Sequence, residues 1–233
     1  MIHTVEIYFL FFFAYAILGW IMEVVLKLIS QKKFINRGFL IGPYCPIYGY
    51  GVLLITFLLR KYQNDFWATF IFSILICGVL EYITSYLLEK IFHARWWDYS
   101  NKKFNINGRI CLETLIPFGI MGCLIIYVTN PIIIDFLNKL PSLLIHITSI
   151  ALFMCYIVDN VISCRIIFNL REISTNLMDN TEEISKKVKN IITKKSILHR
   201  RLIEAFPNLK AKVNLKEWLT KKEEKIKKLR KSK

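Results

Sequence analysis

The chain has 233 residues, 55% of them hydrophobic, and a positive mean hydropathy, more apolar surface than a soluble domain of this size uses. The formal net charge of +15 is gathered at one end: residues 182–233 hold 18 Lys and Arg against 6 Asp and Glu, so the basicity belongs to a C-terminal appendage. Together these exclude an ordinary soluble enzyme and predict an all-α, polytopic membrane protein whose tail is held near anionic headgroups, with nucleic acid a poor candidate partner.

In chain order, Met1 to Glu6 offers no cationic region and no small-residue cleavage site, so the first apolar run is expected to be retained as a helix. Five apolar runs follow, near residues 5–29, 39–60, 66–89, 111–134 and 142–168. Each reaches the roughly 20 residues that cross a hydrocarbon core. The 30–38 connector carries Lys32, Lys33 and Arg37, and the 90–110 connector carries Lys90, Arg95, Lys102, Lys103 and Arg109. The other two hold only Arg60 with Lys61, and Lys139 opposed by Asp135. This asymmetry predicts five spans in a cytoplasmic membrane, with the N-terminus outside and the C-terminus in the cytosol.

The second run is irregular. Gly38-Phe39-Leu40-Ile41-Gly42-Pro43-Tyr44-Cys45-Pro46-Ile47-Tyr48-Gly49-Tyr50-Gly51 puts glycines and two prolines where a spanning helix would begin. Proline removes an amide donor and clashes with the preceding turn, so a continuous lipid-facing helix is disfavoured there. A broken or re-entrant segment is expected around Gly42, Pro43, Tyr44, Pro46, Tyr48 and Gly49, of the kind that lines sites in transporters; a merely kinked helix is the plainer reading. After Phe168, Leu170, Leu177, Ile184, Ile191 and Leu198 recur every seven residues, which predicts a cytosolic amphipathic helix over 169–206. Pro207 ends it, and 207–233 reads as a basic helix or tail. The membrane domain is taken as 1–168.

Charged side chains inside spans are costly and therefore informative. Glu23, Glu81, Glu113 and Asp159 fall about 9, 13, 5 and 13 Å in from the expected cytosolic ends, at 1.5 Å per helical residue. All in one leaflet, they predict a polar cavity open to the cytosol, with Arg109 as the nearest counter-charge. Glu23 with Lys27, and Arg109 with Glu113, stand at i,i+4 spacing, which favours interfacial ion pairs for these two glutamates. Glu81 and Asp159 are the deepest and least neutralised, and serve function and an interhelical network equally well.

Between the third and fourth runs lies a dense polar segment. Trp96, Trp97 and Tyr99 suit an aromatic belt, but Arg95, Asp98, Asn105, Asn107 and Gly108 do not. The Asn and Gly positions predict a tight turn capping the fourth helix, and the whole reads as a lid or coupling loop over the cavity. The six cysteines form no CxxC pair and no His stands at zinc-ligand spacing, so neither a metal nor another cofactor is expected.

The segments Gly38–Gly49, Arg95-Trp96-Trp97-Asp98-Tyr99 and Asn105-Ile106-Asn107-Gly108-Arg109-Ile110-Cys111 resemble the bacterial ABC-transporter type IV, or CmpB-like, permease family over about residues 5–170. His199 to Asn208 also resembles the tail of that family. The resemblance implies an integral membrane protein of permease type and supplies no catalytic residue and no substrate.

The chain has no GxxxxGK[ST] phosphate loop, so a transport reading needs a separate ATPase subunit and, with five spans, a homodimer to complete a pathway. A scaffold acting through the basic heptad tail is the alternative. A membrane-embedded enzyme on a lipid or isoprenoid is a second, resting on carboxylates, Arg, His93 and aromatics at one depth, without HExxH, DxxD or GxSxG spacing.

Overall fold

A computed structural model describes residues 2–32, 34–36, 38–92, 94–177 and 210–211. The elements are α1 (Ile2–Gln31), α2 (Pro46–Leu58), α3 (Phe66–Phe92), β1 (Ala94–Arg95), β2 (Asn105–Ile106), β3 (Ile110–Cys111), α4 (Leu112–Leu124), α5 (Asn130–Asn138), α6 (Ser142–Leu177) and β4 (Lys210–Ala211). Among the described residues, four helical stretches are long and apolar enough to cross a membrane: His3–Ser30, Phe66–Phe92, Leu112–Lys139 and Ser142–Ile166. The second run is the exception, because only the 13-residue α2 is helical there.

Local chemistry explains that shortening. Pro46 occupies the first turn of α2, where its missing N–H and fixed φ cost nothing. Upstream, residues 38–45 are bent and non-helical, and the Cys45 amide donates instead to the Ala16 carbonyl of α1 at 2.8 Å. Gly49 then lets α2 lie against α1: a Cβ there would meet the Phe12 carbonyl oxygen at 2.6 Å. In lipid, where apolar burial does not drive helices together, such close backbone approach is what holds them.

The α3–α4 contact follows the same rule. A Cβ at Gly122 would strike the Ser73 hydroxyl at 2.2 Å, and one at Gly119 the Phe70 ring at 2.6 Å. The third long stretch is not one regular helix, because Ile125–Thr129 form a π-helical turn joining α4 to α5. Pro131 cannot supply the amide that would continue the ladder, and the turn widens before it. Side chains beside this turn bond across the bundle: Tyr15 donates to Asn130 Oδ1 at 2.6 Å, and Asn130 donates to the Thr56 hydroxyl at 2.9 Å.

α1 is the central element. Leu10, Phe11 and Tyr15 pack with Val52, Ile125, Leu137 and Ile145, while Phe12, Phe13 and Ala16 pack with Leu40 and Tyr44. The last helix runs on past the expected end of the membrane domain to Leu177. The heptad positions beyond it and most of the basic tail lie outside the described residues. Lys210 and Ala211 pair antiparallel with Arg95 and Ala94, so these two residues are extended. The backbone groups of an unpaired edge need partners, and a second extended segment supplies them.

Candidate functional site

The C-terminal ends of α1, α3 and α6, the N-terminal ends of α2 and α4, the 38–45 segment and the 94–111 loop meet at one end of the bundle. The loop there is folded. Arg109 N–H closes a turn onto the Ile106 carbonyl at 3.0 Å, with Asn107 at φ 54° and Gly108 at φ 67°. Positive φ at both central residues fits a type I′ hairpin turn, which Asn-Gly favours, between β2 and β3. Asn105 Oδ1 accepts from the Gly108 amide at 2.9 Å, and Tyr99 N–H donates to the Gly108 carbonyl at 2.8 Å. Gly108 also has no room for a side chain, since a Cβ would meet Ser100 Oγ at 2.3 Å and Asp98 Oδ1 at 2.8 Å.

These asparagines do not cap α4, as the sequence suggested. Cys111 precedes that helix, and the Thr114 hydroxyl closes back onto the Cys111 carbonyl at 2.9 Å. Asn107 instead donates to the Tyr82 hydroxyl of α3 at 2.9 Å.

The loop is anchored through Glu89, which was not among the expected site residues. Its Oε2 accepts from Arg109 Nη1 at 2.7 Å and Arg95 Nε at 3.3 Å, and Arg95 also reaches Asp98 at 3.3 Å. The Arg109 guanidinium lies 5.7 and 5.5 Å from the ring centres of Tyr82 and Tyr86, which adds cation–π attraction in a desolvated site. Trp97 Nε1 donates to the Arg109 carbonyl at 3.0 Å, and Trp96 packs with Phe92 and Ile166. The expected Arg109–Glu113 pair is thus corrected: α4 starts only at Leu112, so Arg109 sits in the hairpin and faces α3. Glu113 is 60% exposed and pairs with Lys102 at 2.7 Å, outside any interior ring. That hydrogen bond, then the charge of Glu113, raises the pKa of the Lys102 ammonium.

The three deeper carboxylates fall into two settings, Asp159 in one and Glu23 with Glu81 in the other. Asp159 holds the broken segment: Oδ1 accepts from Ile41 N at 2.8 Å and Ser163 Oγ at 2.9 Å, and Oδ2 from Gly42 N at 2.8 Å and Tyr44 Oη at 2.6 Å. Its partners among the described residues are therefore backbone amides and hydroxyls, where Arg109 was the expected counter-charge. Glu23 accepts from the Tyr48 hydroxyl at 2.7 Å, and Gly19 makes room for the Tyr48 ring. Glu81 accepts from Tyr99 Oη at 3.3 Å and stands 3.5 Å from Thr114 Oγ1. Burial raises the Tyr99 phenol pKa, and the Glu81 charge raises it further, so Tyr99 stays a neutral donor. Pro43, Pro46 and Gly49 shape the backbone, and no hydrogen-bonding side chain comes from them.

Glu89 carried a legible signal, an acid at the end of the third run beside a connector with two arginines. Ser163 and Thr114 carried none, because hydroxyls in apolar helices commonly bond their own backbone.

Four long apolar helices, a short broken one and a polar end covered by a structured loop define a polytopic helical membrane protein. Residues 10–164 match the family described as "Putative ABC-transporter type IV", and the chain belongs to that family. No curated protein and no solved structure gives a significant match.

Proposed function

We propose that this chain is the membrane subunit of a permease, with five passes, its N-terminus outside and its polar end in the cytosol, where the 94–111 loop couples to a separate ATPase. The observation that carries the reading is the two-sidedness of that loop. Its root is clamped to α3 through Glu89, Arg95 and Arg109, while its tip turns outward, with Phe104 80% exposed at φ 52°. An exposed aromatic in the left-handed region is costly to keep and gains most from a docked partner. Family membership supports the permease reading, and the concentration of Lys and Arg in the connectors at this end supports the orientation. The broken segment, pinned between α1 and α6, and the carboxylates beside it form the polar lining of the pathway in this reading, completed by a second copy. The basic tail beyond α6 rests on anionic headgroups.

The experiment is purification of the tagged chain from its native membranes with and without a non-hydrolysable ATP analogue. An ATPase should accompany it in a nucleotide-dependent way and be lost from Arg95→Ala or Asp98→Ala. Recovery of the chain alone under every nucleotide condition overturns the coupling role.

A further inference from the structure

Glu81 is 8% exposed, within an apolar helix, and among the described residues no Lys, Arg or His nitrogen lies within 4.0 Å of it. Its hydrogen-bond supply is poor for an anion. Thr114 has one hydroxyl hydrogen, and the Cys111 carbonyl at 2.9 Å competes for it far better than Glu81 at 3.5 Å. Tyr99, at 3.3 Å, is then the one effective donor. Among the described residues, the groups that face Glu81 carry no positive charge. From α1 comes Glu23, itself a carboxylate bonded by Tyr48 of α2; from its own helix, Cys77; from the loop and α4, Tyr99, Cys111 and Thr114. The nearby guanidinium groups of Arg95 and Arg109 are held by Glu89. A buried carboxylate in this setting is better accommodated with a proton than without one, because the acid form sheds the charge and brings its own donor.

We propose that Glu81 is a reversible proton-binding site that sets how firmly the 94–111 loop is held to α3. In the ionised state Tyr99 donates a charge-assisted hydrogen bond to Glu81. Uptake of one proton from the aqueous side converts that carboxylate to a neutral acid, and the Tyr99 contact becomes an ordinary and weaker one. Tyr99 is tied by its backbone to the Gly108 carbonyl, so the hairpin turn feels the change. The proposal deepens the coupling role of the loop, but its test needs neither an ATPase nor a transported substrate, so the two readings fail separately.

The test is infrared difference spectroscopy of the purified full chain in lipid nanodiscs, titrated from alkaline to acidic pH. A protonated-carboxyl C=O band should appear at a higher pH than the bands of exposed carboxylates, vanish in Glu81→Gln and persist in Glu23→Gln. Tyr99→Phe removes a donor to the anion, so the midpoint should move to higher pH, by about one unit. Absence of such an early band in the native chain, or its persistence in Glu81→Gln, overturns the proposal. Should Glu81→Gln fail to fold, an unmoved midpoint in Tyr99→Phe does the same.

Discussion

Asp159 on α6 and Glu81 on α3 are equally buried, at 9% and 8% exposed, yet their surroundings are opposite. Asp159 receives four donors at 2.9 Å or less, two of them backbone amides of the broken segment. Glu81 has one effective donor, and a second carboxylate acts on it. The first region is built around a permanent charge that ties a loop to a helix; the second tolerates a charge that comes and goes. Burial alone therefore says little about an intramembrane acid, and the number and quality of its donors say much more.

That contrast can be broken most directly at Asp159. Asp159→Ala strands the Ile41 and Gly42 amides and the Tyr44 hydroxyl, and should cost about 3–5 kcal/mol of unfolding free energy in detergent. A loss below about 1 kcal/mol would mean that water serves those donors equally well. Next comes the loop: Gly108→Ala forces a side chain into a positive-φ position crowded by Ser100 and Asp98, and should cost about 1–3 kcal/mol. Hydrogen exchange should localise that cost to residues 98–109, leaving the helices protected.

Glu81→Gln should change stability by less than about 1 kcal/mol, because a neutral amide suits a site short of donors. A loss as large as that of Asp159→Ala would show that Glu81 is held as an anion and erase the contrast. The smallest effect is expected from Lys102→Ala, whose partner Glu113 is itself mostly in water. Melting should not move measurably, since exposed pairs gain little over hydration.

Much of this site was legible where the chemistry is local. The prolines and glycines of residues 38–49 announce a break, and 46–58 is the helix that remains. Asn107-Gly108 announces a tight turn, and both residues take positive φ. Partners across the bundle were not legible. An i,i+4 rule paired Arg109 with Glu113 by assuming a helix that starts three residues later, and Glu89 was not matched with the loop arginines because the fold of the connector brings them back to it. Asp159 was matched with a cation because its true partners, the amides of Ile41 and Gly42, become donors only after the second run breaks.

By itself, then, the sequence determined an α-helical membrane protein with long apolar runs, one of them broken near its start, a dense polar connector and a basic end. These follow from hydrophobic length, from the backbone limits of proline and glycine, and from charge, all of which act over a few residues. Tertiary structure alone decided which carboxylate meets which donor. That depends on the rotation and register of helices far apart in the chain, set here by small-residue contacts such as Gly49 against Phe12 and Gly122 against Ser73.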